Sequence, residues 1–168
     1  MKWSKLRVLV RENFAPSIGK RLDIHSTAYG ACSCGHAWLT LDGNVIANFC
    51  TRAAWLAKSG YKETSPAINP MYRNQFVAYG ELSRQDAYRA CWDFVHELSI
   101  DQALNDDDPL VQSLAIVDKR LGKRRLASID AARLHPLAGK LFELRCELEG
   151  LRTSALVATQ AIGTPTAA

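Results

Sequence analysis

The stretch Ala37-Trp38-Leu39-Thr40-Leu41-Asp42-Gly43-Asn44-Val45-Ile46-Ala47-Asn48-Phe49 decides the fold. Two runs rich in β-formers, Ala37 to Leu41 and Val45 to Phe49, flank Asp42-Gly43, a pair that accepts the positive φ angles of a type I′ turn. The reading is a tight antiparallel hairpin. A two-residue turn sets Leu39 opposite Ile46 and Trp38 opposite Ala47, and alternation turns either Trp38 or Leu39 toward a core.

Working upstream, Leu22, Ile24, Ser26 and Ala28 alternate with Asp23, His25, Thr27 and Tyr29, which predicts a further strand with one face on the core. Before it, Trp3, Leu6, Val10 and Phe14 share one face of a helix that Ser4 caps and Pro16 stops. Downstream, Lys58 to Gly80 carries Gly60, Pro66, Pro70 and Gly80 without a sustained period and reads as a long connection. Ser83 and Asp86 open a helix whose apolar side is Ala87, Ala90, Cys91, Phe94, Val95 and Leu98. Asp108-Pro109 opens another, with Leu110, Leu114, Val117 and Leu121 as its stripe and Gly122 as its C-cap. A last helix follows Pro136 through Leu137, Leu141, Leu144, Leu148 and Leu151, broadened by Phe142 and Cys146.

These elements predict an α+β fold: a small antiparallel sheet of about three strands, one tight hairpin, and helices from both termini packed on it. The 168 residues, 48% hydrophobic and 23% charged, suit one domain over residues 1–151 with a frayed tail at 152–168, and they exclude disordered or collagenous classes. No run approaches the ~20 apolar residues of a membrane span and no secretory apolar core opens the chain, so a cytoplasmic protein without membrane contact is expected. Five cysteines, an odd number, argue against a disulfide framework and for reduced thiols.

The pieces Trp3-Ser4-Lys5-Leu6, Ile24-His25-Ser26-Thr27, Trp38 to Gly43, Ile46-Ala47-Asn48-Phe49-Cys50, Asp118 to Leu126 and Phe142-Glu143-Leu144-Arg145 are similar to a family of small bacterial proteins of unknown function. The resemblance spans roughly residues 1–151. It implies a bacterial cytosolic protein that shares the hairpin and the basic segment after Val117, and it implies no activity or cofactor. The chain departs from the pattern in the loop Cys32-Ser33-Cys34-Gly35-His36.

Three residue groups are candidates for chemistry. The first is Lys119, Arg120, Lys123, Arg124 and Arg125, five cations in seven residues, with Arg133 beyond them. Guanidinium forks match phosphate oxygens, so the segment can hold an anionic or nucleic-acid ligand. With Asp106, Asp107 and Asp108 at the other end of the same helix, the cations can equally serve its macrodipole. The second is His25 with Asp23 and Thr27 on one strand face, where a carboxylate can orient an imidazole for acid–base work and Cys50 or Cys32 could act as nucleophile. No nucleophile-elbow signature accompanies them. The third is Cys32, Cys34 and His36, completed by Cys50 or His25, which offers zinc-type donors at a spacing unlike a zinc knuckle. No metal or cofactor is expected. The leucine stripe after Pro136 is either core or a short seam for a homo-oligomer. Together these favour a non-enzymatic binding protein with an anionic or nucleic-acid partner at the basic segment. The alternative is a small enzyme working through the sheet face around His25.

Overall fold

The computed structural model describes residues 1–30, 34–60 and 76–151. The proposed tail at 152–168 and most of the connection between Lys58 and Gly80 lie outside them. Strands β1 (Leu22–Ala28), β2 (Gly35–Leu41) and β3 (Asn44–Cys50) form an antiparallel sheet in the order β1-β2-β3. The turn is the one the sequence predicts, with φ of 50° at Asp42 and 79° at Gly43.

The register beyond the turn differs from expectation. Thr40 pairs with Val45, but Leu39 pairs with Ala47 and Trp38 with Asn48, because a β-bulge falls between Leu39 and Thr40 and leaves Ile46 as the additional residue. Ile46 and Phe49 are three positions apart, so strict alternation would put them on opposite faces. The bulge lets Ile46, Ala47 and Phe49 all join the core. Opposite them Leu39 is fully buried and Trp38 faces outward, which resolves the choice between the two. Burying a side chain such as Phe49 or Leu39 stabilises the fold by about 1.5 to 3 kcal/mol, enough to dictate the register.

The inner face of the sheet meets α1 (Trp3–Glu12) and α3 (Arg84–His96), which also pack on each other. Lys2, not Ser4, is the N-cap of α1, so Ser4 sits inside the first turn. Ser83 and Asp86 form the reciprocal capping box expected for α3. Helix α2 (Thr51–Ser59) follows β3 directly. A second box, Ser99 with Gln102, starts the short α4 (Ile100–Leu104).

Helix α5 (Pro109–Val117) occupies the centre, with α3, α4 and α7 (Pro136–Leu148) around it. All nine of its residues are buried, Gln112 and Ser113 included, so the helix is enclosed on every side rather than along one stripe. Asp108 accepts the backbone N–H groups of Leu110 and Val111 at its start. It ends at Asp118 rather than Gly122, and Gly122 instead begins the five-residue α6 (Lys123–Ala127). The core runs without interruption from Leu6 of α1 to Cys146 of α7 and includes Leu137, Leu141 and Phe142. Leu148 is the exposed member of the leucine stripe.

Candidate functional site

Asp118 to Arg125 is a turn followed by a short helix, and every one of its five cations is exposed. The turn is held from below by Arg145, a side chain 2% exposed. Arg145 Nη1 donates to the carbonyls of Ile116 (2.6 Å) and Asp118 (2.8 Å), and Nη2 donates to that of Leu121. Its Nε donates to Glu149 at 2.8 Å. One buried guanidinium thus satisfies the Ile116 carbonyl at the end of α5 and two carbonyls of the turn that follows it. From the side, Ala15 donates to the Val117 carbonyl and Lys119 to that of Asn13, both at 2.7 Å, tying the turn to the end of α1.

The cations then divide. The carboxylate of Asp118, fully buried, accepts the backbone N–H of Arg120 and both Nε and Nη2 of its side chain, while that guanidinium lies 5.6 Å from the Phe94 ring centre. Arg125 pairs with Asp101. Lys119 donates to the carbonyl of Glu12 (2.7 Å) and Lys123 to that of Glu149 (2.9 Å), at the ends of α1 and α7. A carbonyl orients an ammonium group without cancelling its charge. Arg124 has no partner among the described residues. Two cations are therefore neutralised, and Lys119, Lys123 and Arg124 are not. Lys119 and Lys123 border a shallow groove of about 350 Å³ with Ser17, Gly122 and Leu148. Of the five cations, Lys119 and Lys123 thus donate to the C-terminal ends of α1 and α7. Arg133 stands apart, on the 3₁₀ turn Ala131–Arg133, beside Asp106, Asp107 and Asp130.

The outer face of the sheet holds the second candidate. His25 lies across from Trp38 on β2, and the two rings stack with centroids 5.1 Å apart and planes 16° apart. Trp38 also meets His36 at 4.9 Å, and His36 meets Tyr29 at 5.7 Å, with Tyr29 Oη and His36 Nδ1 sharing a hydrogen bond of 3.1 Å. Gly35 starts β2 where a Cβ would stand 2.2 Å from the Thr27 carbonyl, so only glycine lets the strands close just before His36.

Asp23 does not orient His25. Its carboxylate accepts both Nε and Nη2 of Arg7 and lies 3.6 Å from Arg11, whereas His25 Nε2 is 4.0 Å away and bonds Thr40 Oγ1 at 3.0 Å. Burial raises the Asp23 carboxyl, but the Arg7 fork, the Ile24 N–H and the two arginine charges outweigh it and hold it below the ordinary range. Burial pushes both His25 and His36 below the usual imidazole value, more than Asp23 can offset at His25, so both rings are neutral at pH 7. Thr27 is on the same face. Cys50 is the β3 residue opposite His36 in the strand register, not opposite His25, and its thiol is free.

The third candidate is dismantled in part. Cys32 lies outside the described residues. Cys34 is disulfide-bonded, which corrects the expectation of five reduced thiols and removes it as a thiolate ligand. An odd cysteine count argues against a framework of paired bridges, but it cannot exclude a single bond. Cys50, Cys91 and Cys146 are free, and burial raises the Cys146 thiol to about 11. Among the described residues no group of three or more His, Cys, Asp or Glu is placed to hold a metal, and no helix is long and apolar enough to cross a membrane.

Sequence reasoning missed Arg145 and Asp118, the two residues that shape the basic turn. A signal was present: Arg145 falls on the apolar side of α7, four residues after Leu141 and four before Glu149. It also missed that Arg11, Lys20 and Arg21, far from the basic segment in sequence, line a groove of about 500 Å³ in front of His25, Trp38 and Thr40.

No curated protein and no solved structure matches the chain. The SF0329 protein family matches over residues 2–146, from the N-cap of α1 to Cys146 in the last core turn of α7. That span takes in the sheet face, the basic turn and the arginine beneath it, and the chain belongs to the SF0329 protein family.

Proposed function

We propose that this is a non-enzymatic binding protein for an anionic partner, most concretely a nucleic acid, and that Lys119, Lys123 and Arg124 make the contact. The observation that carries the reading is the division within the basic turn. Arg120 and Arg125 are matched by carboxylates, while Lys119 on the turn and Lys123 and Arg124 on the short helix after it are exposed and have no carboxylate partner among the described residues. Uncompensated cations at fixed spacing are what phosphate contacts require, because binding releases the counterions condensed on the polyanion. The bacterial cytoplasm is the setting that the sequence resemblance implies.

The enzymatic alternative at His25 has weaker support. Asp23 is engaged by Arg7 and Arg11, and His25 is hydrogen-bonded to a threonine rather than to a nucleophile. A homo-oligomer seam on α7 has less support still, since Leu137 and Leu141 are buried inside the domain.

The test is retention on heparin and on immobilised DNA at low salt, for the unmodified protein and for the triple variant Lys119→Ala, Lys123→Ala, Arg124→Ala. Salt-sensitive retention that the triple variant loses while keeping its fold is expected. Absence of retention, or equal retention of both proteins, refutes the proposal.

A further inference from the structure

We propose that the outer face of the sheet is a stacking surface for unpaired bases of a single-stranded nucleic acid. Only the anionic nature of the partner rests on the reading above; the aromatic face and its groove are independent of the basic turn.

Four rings, Tyr29, His36, Trp38 and His25, follow one another across this face with centroids 4.9 to 5.7 Å apart. A soluble sheet face left to water normally carries isolated polar side chains, not a continuous row of flat ones. Tyr29 is about half exposed and Trp38 partly so, and neutral imidazoles pack on either side of Trp38, His25 stacked at 16° and His36 tilted at 48°. Directly across from Trp38 on β3, Asn48 is 5% exposed, and neither its amide oxygen nor its amide nitrogen has a hydrogen-bond partner among the described residues. A buried amide with both groups unsatisfied is costly and calls for a partner. One donor and one acceptor beside a stacking ring is the equipment that reads a base edge.

Charge at the groove fits the same partner. Asp23 is shared by Arg7 and Arg11, Asp42 is matched by Arg21 through bonds of 2.8 and 2.5 Å, and Lys20 lines the groove without a carboxylate partner among the described residues. Three cations and two carboxylates line the groove itself, so one positive charge is in surplus beside the rings. The Glu12 carbonyl that holds Lys119 belongs to the residue after Arg11, so the end of α1 contributes a residue to each surface. Bases in a duplex are already stacked on one another, so only an unpaired base can present its face to such a surface.

The experiment compares oligothymidylate, a duplex of equal length, and inorganic polyphosphate as ligands of the unmodified protein, Trp38→Leu and Trp38→Phe. Trp38→Leu should weaken oligothymidylate binding roughly 5- to 100-fold and leave polyphosphate binding unchanged, while Trp38→Phe restores most of the loss. Saturating oligothymidylate should quench tryptophan fluorescence in the unmodified protein, and the quenching should vanish in Trp38→Phe, a variant that keeps the packing whatever becomes of Trp38→Leu. Equal quenching in both proteins, or duplex bound as tightly as single strand, overturns the inference. Polyphosphate bound as tightly as oligothymidylate overturns it while leaving the anion-binding reading intact. Failure of all three ligands to bind refutes both.

Discussion

The basic turn and the outer sheet face make opposite use of their polar residues. At the turn, five cations adjacent in sequence scatter in space: two meet carboxylates, two cap the ends of α1 and α7, and one is left without a partner among the described residues. At the sheet face, residues far apart in sequence converge, with Arg11 and Lys20 brought beside Trp38 and His25. Charge density along a sequence therefore says little about charge available to a ligand. Availability is decided by which carboxylates and helix ends the fold places within reach.

That contrast can be broken at several points. The largest effect should come from Arg145→Leu, which leaves the Ile116 and Leu121 carbonyls without this donor and takes the buried cation from Glu149; we expect destabilisation of about 3 to 5 kcal/mol by denaturant unfolding, with early hydrogen exchange across residues 118–122. Asp118→Ala should cost about 2 kcal/mol, because a buried carboxylate that accepts three bonds from Arg120 is removed. The same change liberates the Arg120 charge, so polyanion affinity should rise as stability falls; a parallel drop in both would show that the turn's shape matters more than its charge count.

On the sheet side the lever is pH. His25 and His36 titrate below 6.5 in the folded protein, so between that depressed value and 6.5 the unfolded chain binds more protons than the native one. Stability should consequently be lost as pH falls below 6.5, with the deficit complete once pH passes the folded values. Thermal melts of the unmodified protein and of His25→Asn with His36→Asn, from pH 7.5 to 5, should converge on acidification. A constant gap would mean that the rings are not desolvated. The smallest effect belongs to Arg125→Ala: its partner Asp101 is 75% exposed, and such a pair contributes at most about 1 kcal/mol in the melting curve.

Much of the fold was legible because local chemistry and tertiary packing agree. Asp42-Gly43 specified its turn, Ser83 with Asp86 specified the start of α3, and Asp108-Pro109 that of α5. The bulge at Ile46 was not read, although the odd spacing of Ile46 and Phe49 contained it. The end of α5 was misplaced because Gly122 looks like a C-cap, and nothing local reveals that Arg145, 27 residues after Asp118, already satisfies those carbonyls. Helices α2 and α4 were overlooked, the first for want of a capping side chain and the second for its five residues. For the site, His25, His36 and the five cations were recognised by type, but their partners were not. Pairing of Asp23 with Arg7, and of Arg120 with Asp118 and Phe94, depends on which elements touch, and that is settled by the core rather than by any local pattern.

The division of the basic turn is tested most directly by the salt dependence of single-strand binding in two double variants. Lys123→Ala with Arg124→Ala removes uncompensated charges and should lower the slope of log K against log salt by about 1.4, at roughly 0.7 per phosphate contact, with nearly unchanged melting. Arg120→Ala with Arg125→Ala removes matched charges and should leave the slope in place while lowering the melting temperature. Equal loss of slope in both variants would contradict the division, because all five cations would then be meeting phosphate alike.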